Sequence, residues 1–299
     1  MKALVIGGAG FIGSHLVDRL LAEEHVVDVV DDLSSGTLGN LAAARAAGGE
    51  LKIHHLDVCA DELVPLVAMR TPDVIFHLGW LPPGRVSTAS LGRAVHGMLN
   101  VLEASCATST PKVVTTAFAT CIYGEVPLRE QPVKEGRAPA TTDAAGVISH
   151  AVLELLAAAR RDHDVEFTVL AMGSVYGPRQ RPDGGVVGAF VDAVRRDQAP
   201  IIRGDGRQSR DFVYIDDAVD ACVRAASRGG GLVVNVGTGT ATSINDLWAM
   251  VAGPGAAAAH HEPAEAGDVA RLAVSPTRAR IHLSWAPWTS LSDGLRSVR

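Results

Sequence analysis

Short apolar runs alternate with stretches of helical periodicity through the first two thirds of the chain. Runs rich in branched aliphatic residues occur at 3–6, 26–30, 51–56, 74–78, 113–116 and 167–170. Their length and composition predict strands that are buried on both faces. Between them, leucines recur at helical spacing, and such patterns over 94–106 and 149–161 predict helices. Repeated strand–helix–strand units predict an α/β fold with a Rossmann-type, doubly wound parallel sheet.

The pattern changes after Gly177, where the chain becomes less regular and richer in glycine, proline and arginine. We therefore expect a dinucleotide-binding type of first domain over residues 1–170 and a smaller C-terminal, substrate-binding domain over residues 171–299. The segments near 211–240 contain apolar, periodic stretches. This leaves open that they pack back on the first domain.

A glycine-rich segment directly follows the first predicted strand. Residues 8–13 match the G-x-G-x-x-G spacing, and a variant with three-residue spacing begins at Gly7. Glycines here permit a tight turn and a close approach of the backbone to a pyrophosphate, which the amides of the next helix would bind. The context of strand, turn and helix predicts a nicotinamide-dinucleotide site. The residues expected to contact the cofactor here are Gly7, Gly10, Phe11, Ile12 and Gly13.

Asp31 ends the second predicted strand, where a carboxylate would accept hydrogen bonds from the adenosine ribose hydroxyls. A 2′-phosphate would meet its like charge, so NAD(H) is favoured over NADP(H). NADP(H) stays open, because a nearby loop could supply a cation. Asp57 is the expected adenine-side contact, with a helix-capping role as the alternative. The other expected cofactor contacts are Asp32, Leu33, Val58, Leu78, Gly79, Trp80, His150, Met172 and Val175.

Composition and charge argue against several classes of function. The net charge is −6 and no basic stripe is present, so nucleic acid is not an expected partner. No run could span a bilayer and no signal peptide precedes the first strand, so we expect a cytoplasmic protein without a membrane partner. The cysteines show no paired spacing, which indicates buried thiols and neither a metal site nor a disulfide. The sequence does not separate a monomer from a homodimer.

Motifs along the whole chain carry a family resemblance. They lie at residues 7–13, 31–36, 73–78, 175–178, 204–217, 235–239 and 267–269, and the longest reads GDGRQSRDFVYIDD. Together they resemble the extended short-chain dehydrogenases/reductases of the NAD-dependent epimerase/dehydratase family. Relatives of this kind include nucleotide-sugar 4-epimerases and 4,6-dehydratases, so the resemblance implies a nicotinamide cofactor and a small-molecule substrate.

The side chains that this resemblance would make catalytic are missing. Family members carry a Tyr-x-x-x-Lys pair on one helix face and a Ser or Thr before a Tyr-Gly turn. Here Gly146 stands at the tyrosine position, His150 at the lysine position and Ala119 at the hydroxyl position. The substrate side departs too, because Ser174 replaces an asparagine and Glu265 replaces an arginine.

One phosphate contact implied by the resemblance remains, at Arg210. A structural ion pair with the acidic residues after it is the alternative role for this arginine. Glu265 would repel a nucleotide phosphate. The substitutions taken together disfavour a nucleotide-sugar substrate.

Loss of the base hampers alcohol oxidation more than ketone reduction, since hydride can attack a ketone first and a proton can then come from water or substrate. We therefore expect an NAD(P)H-dependent ketoreductase acting on a polycyclic aromatic, angucyclinone-like polyketide ketone in antibiotic biosynthesis. The pattern resembles the triad-lacking angucyclinone ketoreductases. Trp80 offers a flat apolar surface for such a substrate, or is a core tryptophan. The expected substrate contacts are Trp80, Leu81, Thr120, Gly146 and Ser174. The weak candidates for catalysis are Thr120, Ser149, His150 and Ser174.

Two other functions fit the sequence. The chain can be a nucleotide-sugar epimerase or dehydratase with relocated acid–base residues, which Arg210 and the long motif at 204–217 favour. It can instead be a non-catalytic dinucleotide-binding regulator, which the missing triad favours. The first predicts affinity for a nucleoside diphosphate, and the second predicts cofactor binding without turnover.

Overall fold

The computed structural model describes residues 1–78, 86–108, 111–137, 143–254, 257–264 and 268–298. Within these ranges the strands are β1 (Lys2–Ile6), β2 (Val26–Asp31), β3 (Leu51–His55), β4 (Val74–His77), β5 (Lys112–Phe118), β6 (Phe167–Met172), β7 (Ser174–Tyr176), β8 (Ile201–Arg203), β9 (Ser209–Arg210), β10 (Phe212–Tyr214), β11 (Leu232–Val236), β12 (Thr242–Ser243), β13 (His260–Glu262) and β14 (Arg271–Leu272). The α-helices are α1 (Phe11–Ala22), α2 (Ala42–Ala46), α3 (Leu63–Arg70), α4 (Thr88–Cys106), α5 (Ala119–Tyr123), α6 (Ala144–His163), α7 (Val186–Arg195), α8 (Ile215–Ala225), α9 (Ile244–Ala252), α10 (Thr277–His282) and α11 (Leu291–Arg296).

A seven-stranded sheet forms the centre of the molecule, in the order β11-β6-β5-β4-β1-β2-β3. All its neighbouring strands pair in parallel, and Ile6 of β1 lies opposite Val30 of β2 on one side and His77 of β4 on the other. The strand order reverses between β1 and β4. In such sheets the carboxyl ends beside this point form the crevice that binds ligands. The predicted doubly wound, Rossmann-type parallel sheet is confirmed.

Helices cover both faces of this sheet, which explains why its strands are apolar on both sides. On one face α1 packs against α8, and Leu16 and Leu20 of α1 are fully buried. On the other face α3, α4 and α6 pack in sequence, with Met98 and Leu156 in the core. Aromatic residues make up only 4% of the chain, so aliphatic side chains fill most of both cores.

The chain after β6 builds a second, smaller core and also completes the first. α7 packs on α9, where the rings of Phe190 and Trp248 meet edge to face with centroids 5.2 Å apart. β11, however, pairs with β6 as the outer strand of the main sheet, and α8 packs on α1. The main sheet therefore includes a strand, β11, that lies far beyond residue 170. A domain boundary near residue 170 stays a prediction.

Two helices begin earlier than their apolar patterns predicted. α4 begins at Thr88, where the Ser87 hydroxyl accepts the amide of Ser90 at 3.1 Å. α6 begins at Ala144, where the Asp143 carboxylate accepts the amide of Gly146 at 2.7 Å. Such caps satisfy amides that the first helical turn leaves without partners. The predicted starts at residues 94 and 149 were late because capping residues are polar and lie outside the apolar pattern.

The buried carboxylate of Asp211 joins three separate segments of the chain. It lies between β9 and β10 and accepts the amide and hydroxyl of Thr238 at 2.8 and 2.5 Å. It also accepts the amides of Gly239 at 3.0 Å and of Val274 at 3.1 Å. Burial raises the pKa of this carboxyl, and the hydrogen bonds from these donors oppose the shift.

We expect Asp211→Asn to lower the free energy of unfolding by about 2–4 kcal/mol, because an NH₂ group would face the amides of Gly239 and Val274 and leave buried donors unpaired. Denaturant unfolding measures the change. Asp205→Asn is the matched control, since Asp205 is exposed and its carboxylate binds the amide and guanidinium of Arg207, two residues away. Equal losses in the two variants would show that the buried bonds of Asp211 carry no special weight.

The turn between β1 and α1 leaves no room for a side chain at residue 13. A Cβ atom there would lie 2.1 Å from the Gly7 carbonyl oxygen and 2.7 Å from the Gly8 Cα. At Gly10, by contrast, a Cβ would lie 3.2 Å from the same oxygen, and the φ angle of −76° suits any residue.

Gly13→Ala should therefore lower the free energy of unfolding by about 1–3 kcal/mol, as overpacking against a backbone does. Gly10→Ala, the matched control, should change stability by less than half as much. Denaturant unfolding of the two variants, recorded without ligand, gives both changes in the free energy of unfolding. A Gly13→Ala protein as stable as the Gly10→Ala protein would mean that the turn adjusts freely.

Candidate active site

The glycine turn lies at the carboxyl edge of the sheet, beside the point where the strand order reverses. The amide of Gly7 donates to the Val30 carbonyl of β2 at 2.8 Å, which fixes the turn against the next strand. α1 begins at Phe11, so its first amides face the crevice. A helix N-terminus above such a turn is suited to an anion such as pyrophosphate.

Asp31 binds the glycine turn directly. Its carboxylate accepts the amide of Ala9 and the amide of Leu33, each at 2.8 Å, and the residue is only 7% exposed. Leu33 has a φ angle of 57°, so the chain bends sharply after β2. Asp31 therefore holds the turn closed at the place predicted for the adenosine ribose, and its remaining lone pairs can accept ribose hydroxyls.

Asp57 follows β3. The sequence predicted either a contact with the adenine of the cofactor or a helix-capping role for it. Its carboxylate accepts the amide of Cys59 at 2.9 Å, as in a capping turn. It also pairs with Arg93 of α4 at 2.6 Å, and Arg93 reaches Asp32 at 3.0 Å. Partial burial opposes the charge of Asp57, but Cys59 and Arg93 hold the pKa of its carboxyl below the usual value. Arg93 is not among the predicted site residues, because no spacing rule connects it with Asp32 and Asp57.

α5 and α6 form the part of the site where the resemblance places the catalytic residues. Ala119 is buried at the start of α5, and Thr120 beside it is half-buried. Gly146 lies in the first turn of α6 and is buried. The Ser149 hydroxyl is fully buried and donates to the Ala145 carbonyl at 2.8 Å. Ser149 is thus committed to its own helix, which argues against a role on a substrate carbonyl.

His150 links the two helices. Its Nε2 atom lies 2.7 Å from the Ile122 carbonyl oxygen of α5. A carbonyl oxygen can only accept a hydrogen bond, so Nε2 carries the proton in this arrangement. The side chain is half-buried, and its other nitrogen has no hydrogen-bond partner among the described residues.

None of the three tyrosines stands at the tyrosine position of the family. The Tyr123 hydroxyl donates to Asn235 at 2.6 Å, and the Tyr176 hydroxyl donates to the Leu291 carbonyl at 3.3 Å. Burial raises the pKa of both phenols well above the usual value, helped by nearby carboxylates. Tyr214 accepts the hydroxyl of Ser297 at 2.9 Å. Neither Tyr123 nor Tyr176 can therefore replace the missing base by easy ionisation.

The remaining predicted contacts lie at the carboxyl ends of β4 and β6. The Leu78 amide donates to Ile6 at 3.0 Å, and the Ser174 amide donates to the Asp211 carbonyl at 2.7 Å. Met172 is buried at the end of β6, and Val175 is half-buried in β7. The predicted contacts Gly79, Trp80 and Leu81, and also Glu265, lie outside the described residues.

Arg210 forms an ion pair, but with a partner that the sequence did not suggest. Its guanidinium binds Asp268, 58 residues further along, and not the acidic residues that directly follow it. The side chain is 16% exposed. Burial lowers the pKa of the guanidinium, and the charges of Asp268 and Glu125 oppose that shift. Arg210 therefore belongs to a partly buried ion pair that joins β9 to the segment before β14.

Other predictions concern thiols, metals and membranes. Cys121 and Cys222 are buried and Cys59 is half-buried, but Cys106 is exposed at the end of α4, so the prediction of buried thiols is wrong for Cys106. Within the described ranges, no group of three or more histidine, cysteine, aspartate or glutamate side chains could hold a metal ion. No helix in those ranges has the length and apolar character needed to cross a membrane.

Comparisons with known proteins extend these observations. A family model described as the NAD dependent epimerase/dehydratase family matches residues 3–237. The UDP-glucose 4-epimerase of Mycolicibacterium smegmatis is 38% identical, over 99% of this chain and 96% of its own length. The Thermotoga maritima UDP-glucose 4-epimerase with UDP-glucose matches with a TM-score of 0.92 at 33% identity, covering 100% of this chain and 97% of that one. The Thermus thermophilus UDP-glucose 4-epimerase complex with NAD matches at 0.89 and 28%, with the same coverage.

These relatives overturn the predicted reaction. They are UDP-glucose 4-epimerases, so the prediction of a ketoreductase for an aromatic polyketide ketone in antibiotic biosynthesis is wrong. The comparisons give no evidence for the resemblance to angucyclinone ketoreductases. The residues at 119, 146 and 150 differ from the family pattern, whereas the long motif at 204–217 lies within the part of the chain that the family model matches. NAD(H) as cofactor is confirmed by the NAD-bound neighbour and by a glycine turn without room for a side chain at Gly13. The chain belongs to the NAD-dependent epimerase/dehydratase family.

Proposed function

We propose that this protein is an NAD-dependent enzyme that epimerises a UDP-sugar at C4, with its acid–base chemistry carried by residues other than the usual Ser-Tyr-Lys set. The observation that supports this most strongly is the 38% identity to a UDP-glucose 4-epimerase over 99% of the chain. That likeness extends over the smaller core around α7 and α9 as well as the main sheet. A sugar nucleotide is therefore a better candidate than an aromatic ketone.

The pair of Arg210 and Asp268 supports a nucleotide diphosphate as part of the substrate. Arg210 donates to the Ser209 carbonyl at 3.0 Å and to Asp268. A guanidinium carries five N–H donors, so further donors remain for a phosphate. Asp268 also fixes the long side chain before a ligand arrives, which reduces the entropy lost on binding.

Inversion at C4 needs a group that removes a hydroxyl proton while hydride leaves, and that returns a proton afterwards. NAD, when bound, supplies the hydride acceptor. The methyl group of Ala119 and the missing side chain of Gly146 cannot move a proton. Another residue must do so if the protein is an epimerase.

His150 is the residue of α6 best suited to this role. Because Nε2 donates to the Ile122 carbonyl at 2.7 Å, Nδ1 is left with a lone pair that can take a proton. The bond to Ile122 also fixes the ring orientation relative to α5. Thr120, half-buried in α5, is the hydroxyl nearest in sequence to Ala119 and can orient the sugar hydroxyl.

A second candidate function is binding of a sugar nucleotide and NAD without turnover. Ala119 and Gly146 favour it, since both remove a functional group that the family resemblance implies. The two functions differ in a single respect, which is whether any UDP-sugar changes configuration in the presence of the protein and NAD⁺.

We expect the protein with NAD⁺ to interconvert at least one pair among UDP-glucose/UDP-galactose, their N-acetylated forms and UDP-glucuronate/UDP-galacturonate, as followed by NMR of the sugar protons. His150→Gln should lower kcat by about 10²-fold or more with KM nearly unchanged, because glutamine can still donate a hydrogen bond but cannot relay a proton. His163→Gln, at the exposed end of the same helix, is the matched control.

An unchanged kcat in His150→Gln would exclude His150 as the proton-transfer group. Tight binding of every UDP-sugar with no epimerisation by the wild-type protein would instead support the non-catalytic function. Neither result depends on the identity of the preferred sugar.

Arg210→Ala should weaken binding of UDP by about 10- to 100-fold, the usual effect of losing charge-assisted hydrogen bonds. Calorimetric titration of UDP measures this directly. Arg207→Ala is the matched control, because Arg207 lies in the same segment but is 87% exposed and only loosely paired with Asp205. Equal affinities of the two variants would argue against a nucleotide phosphate at Arg210.

A further inference from the structure

The loop between β7 and α7, residues 177–185, is fixed against α1 by two side chains of that helix. Nε2 of His15 lies 2.9 Å from the carbonyl oxygen of Pro178, which can only accept a hydrogen bond. The Asp18 carboxylate binds the Arg179 guanidinium at 2.7 Å. α1 begins at the glycine turn, so the helix whose N-terminus is suited to pyrophosphate also carries this loop.

Arg181 connects the loop with the segment that lies on the glycine turn. Its Nη1 donates to the Ser35 carbonyl at 3.1 Å, while Asp183 binds its Nε and Nη2 at 2.9 and 2.7 Å. Ser35 precedes Gly36, where a Cβ atom would lie only 2.7 Å from the carbonyl carbon of Ala9. The guanidinium of Arg181 is therefore bonded to a segment that packs directly on the backbone of the turn.

The backbone of Arg181 supports the first turn of α7. Its carbonyl oxygen accepts the amide of Gly184 at 2.9 Å, and a Cβ atom at Gly188 would lie 2.4 Å from the same oxygen. Glycine at position 188 thus lets α7 pack directly on the loop. Val187 and Phe190, on either side of Gly188, are buried in the smaller core. One residue therefore contacts the segment beside the glycine turn through its side chain and α7 through its backbone.

Strain and buried polar atoms offset part of the contacts that hold the loop. Arg179 has a φ angle of 64°, a left-handed conformation that is unfavourable for a residue with a side chain. Among the described residues, Asp18 Oδ1, Arg179 Nη1 and Gln180 Oε1 are buried without a hydrogen-bond partner, which is costly. A cavity of about 200 Å³ lies between the loop, α7 and Val298. A ligand that orders the surface beneath such a loop can therefore shift its population.

We propose that Arg181 is a positioning residue through which NAD⁺ bound at the glycine turn orders α7 and the smaller core. Binding restricts the motion of the turn and of segment 34–36, so the Ser35 carbonyl is already fixed when Arg181 donates to it. Without the ligand, the same hydrogen bond must also fix its acceptor, which costs conformational entropy. The inference goes beyond the proposed function, because it concerns the cofactor alone and holds whichever sugar nucleotide is turned over.

Hydrogen exchange followed by mass spectrometry, on the full chain with and without saturating NAD⁺ and without any sugar nucleotide, tests the coupling. In the wild type we expect NAD⁺ to slow exchange at residues 7–22 and also at α7, by about tenfold or more, within the range usual for coupled sites. In Arg181→Ala the slowing at residues 7–22 should persist, whereas the slowing at α7 should fall to about threefold or less.

Arg196→Ala is the matched control, because Arg196 is 61% exposed and pairs with Asp192 of its own helix at 3.0 Å. It should keep the wild-type response to NAD⁺ at α7. Since all proteins are compared at saturating NAD⁺, any general stabilisation by the ligand is common to all of them.

Asp183→Asn tests whether the orientation of Arg181 matters. Loss of the carboxylate releases Nε and Nη2 of Arg181, so the NAD⁺-dependent slowing at α7 should decrease. In the Arg181→Ala background the same substitution should change nothing further, because two residues that act as a unit are not additive. Equal effects of Asp183→Asn in both backgrounds would show that Asp183 does not act through Arg181.

Three results would overturn the proposal. The first is wild-type protein in which NAD⁺ leaves exchange at residues 7–22 unchanged, and the second is slowing there with none at α7. The third is an Arg181→Ala protein in which α7 still gains the full wild-type protection. A wild-type protein that epimerises no UDP-sugar would contradict the proposed function and leave each of these outcomes unaffected.

Discussion

The Asp211 carboxylate holds the short strands β9 and β10 to the segments that follow β11 and β14. A buried charge is costly unless hydrogen bonds surround it, and Asp211 meets this condition with donors from Thr238, Gly239 and Val274. Its backbone carbonyl, in turn, accepts the amide of Ser174. Segments that are far apart in sequence are thus fixed around one side chain, and Arg210 is positioned by its neighbour.

The fold was predictable because its signals are local. Apolar runs, glycine spacing and strand–helix alternation are each visible within about twenty residues, and they correctly gave the parallel sheet and the first α-helix after the glycine turn. The place of β11 in the sheet was harder to predict, because the sequence of a short apolar strand does not indicate which strand it pairs with. The early starts of α4 and α6 escaped notice because Ser87 and Asp143 act through their oxygens and not through hydrophobicity.

The site was predictable only where its residues occupy a motif. Asp31 and the glycine turn were found from spacing, and the structure places them in contact through Ala9. Arg93 and Asp268 were not found, because each reaches its partner through folding and not through proximity in sequence. The prediction of the reaction was wrong for a different reason. Ala119 and Gly146 show which catalytic groups are missing, but they do not show which substrate the protein binds.

The pairing of β11 with β6 also affects how the protein is made. Leu232 of β11 lies opposite Thr168 of β6, so the main sheet cannot close until the whole segment between them has left the ribosome. Until then β6 is an unpaired, apolar edge on a nearly finished sheet, and such edges recruit foreign strands. α9 follows β11 in the chain, so the smaller core is completed only after the main sheet has received its last strand. A chain interrupted before β11 is therefore the form most exposed to aggregation and chaperone capture.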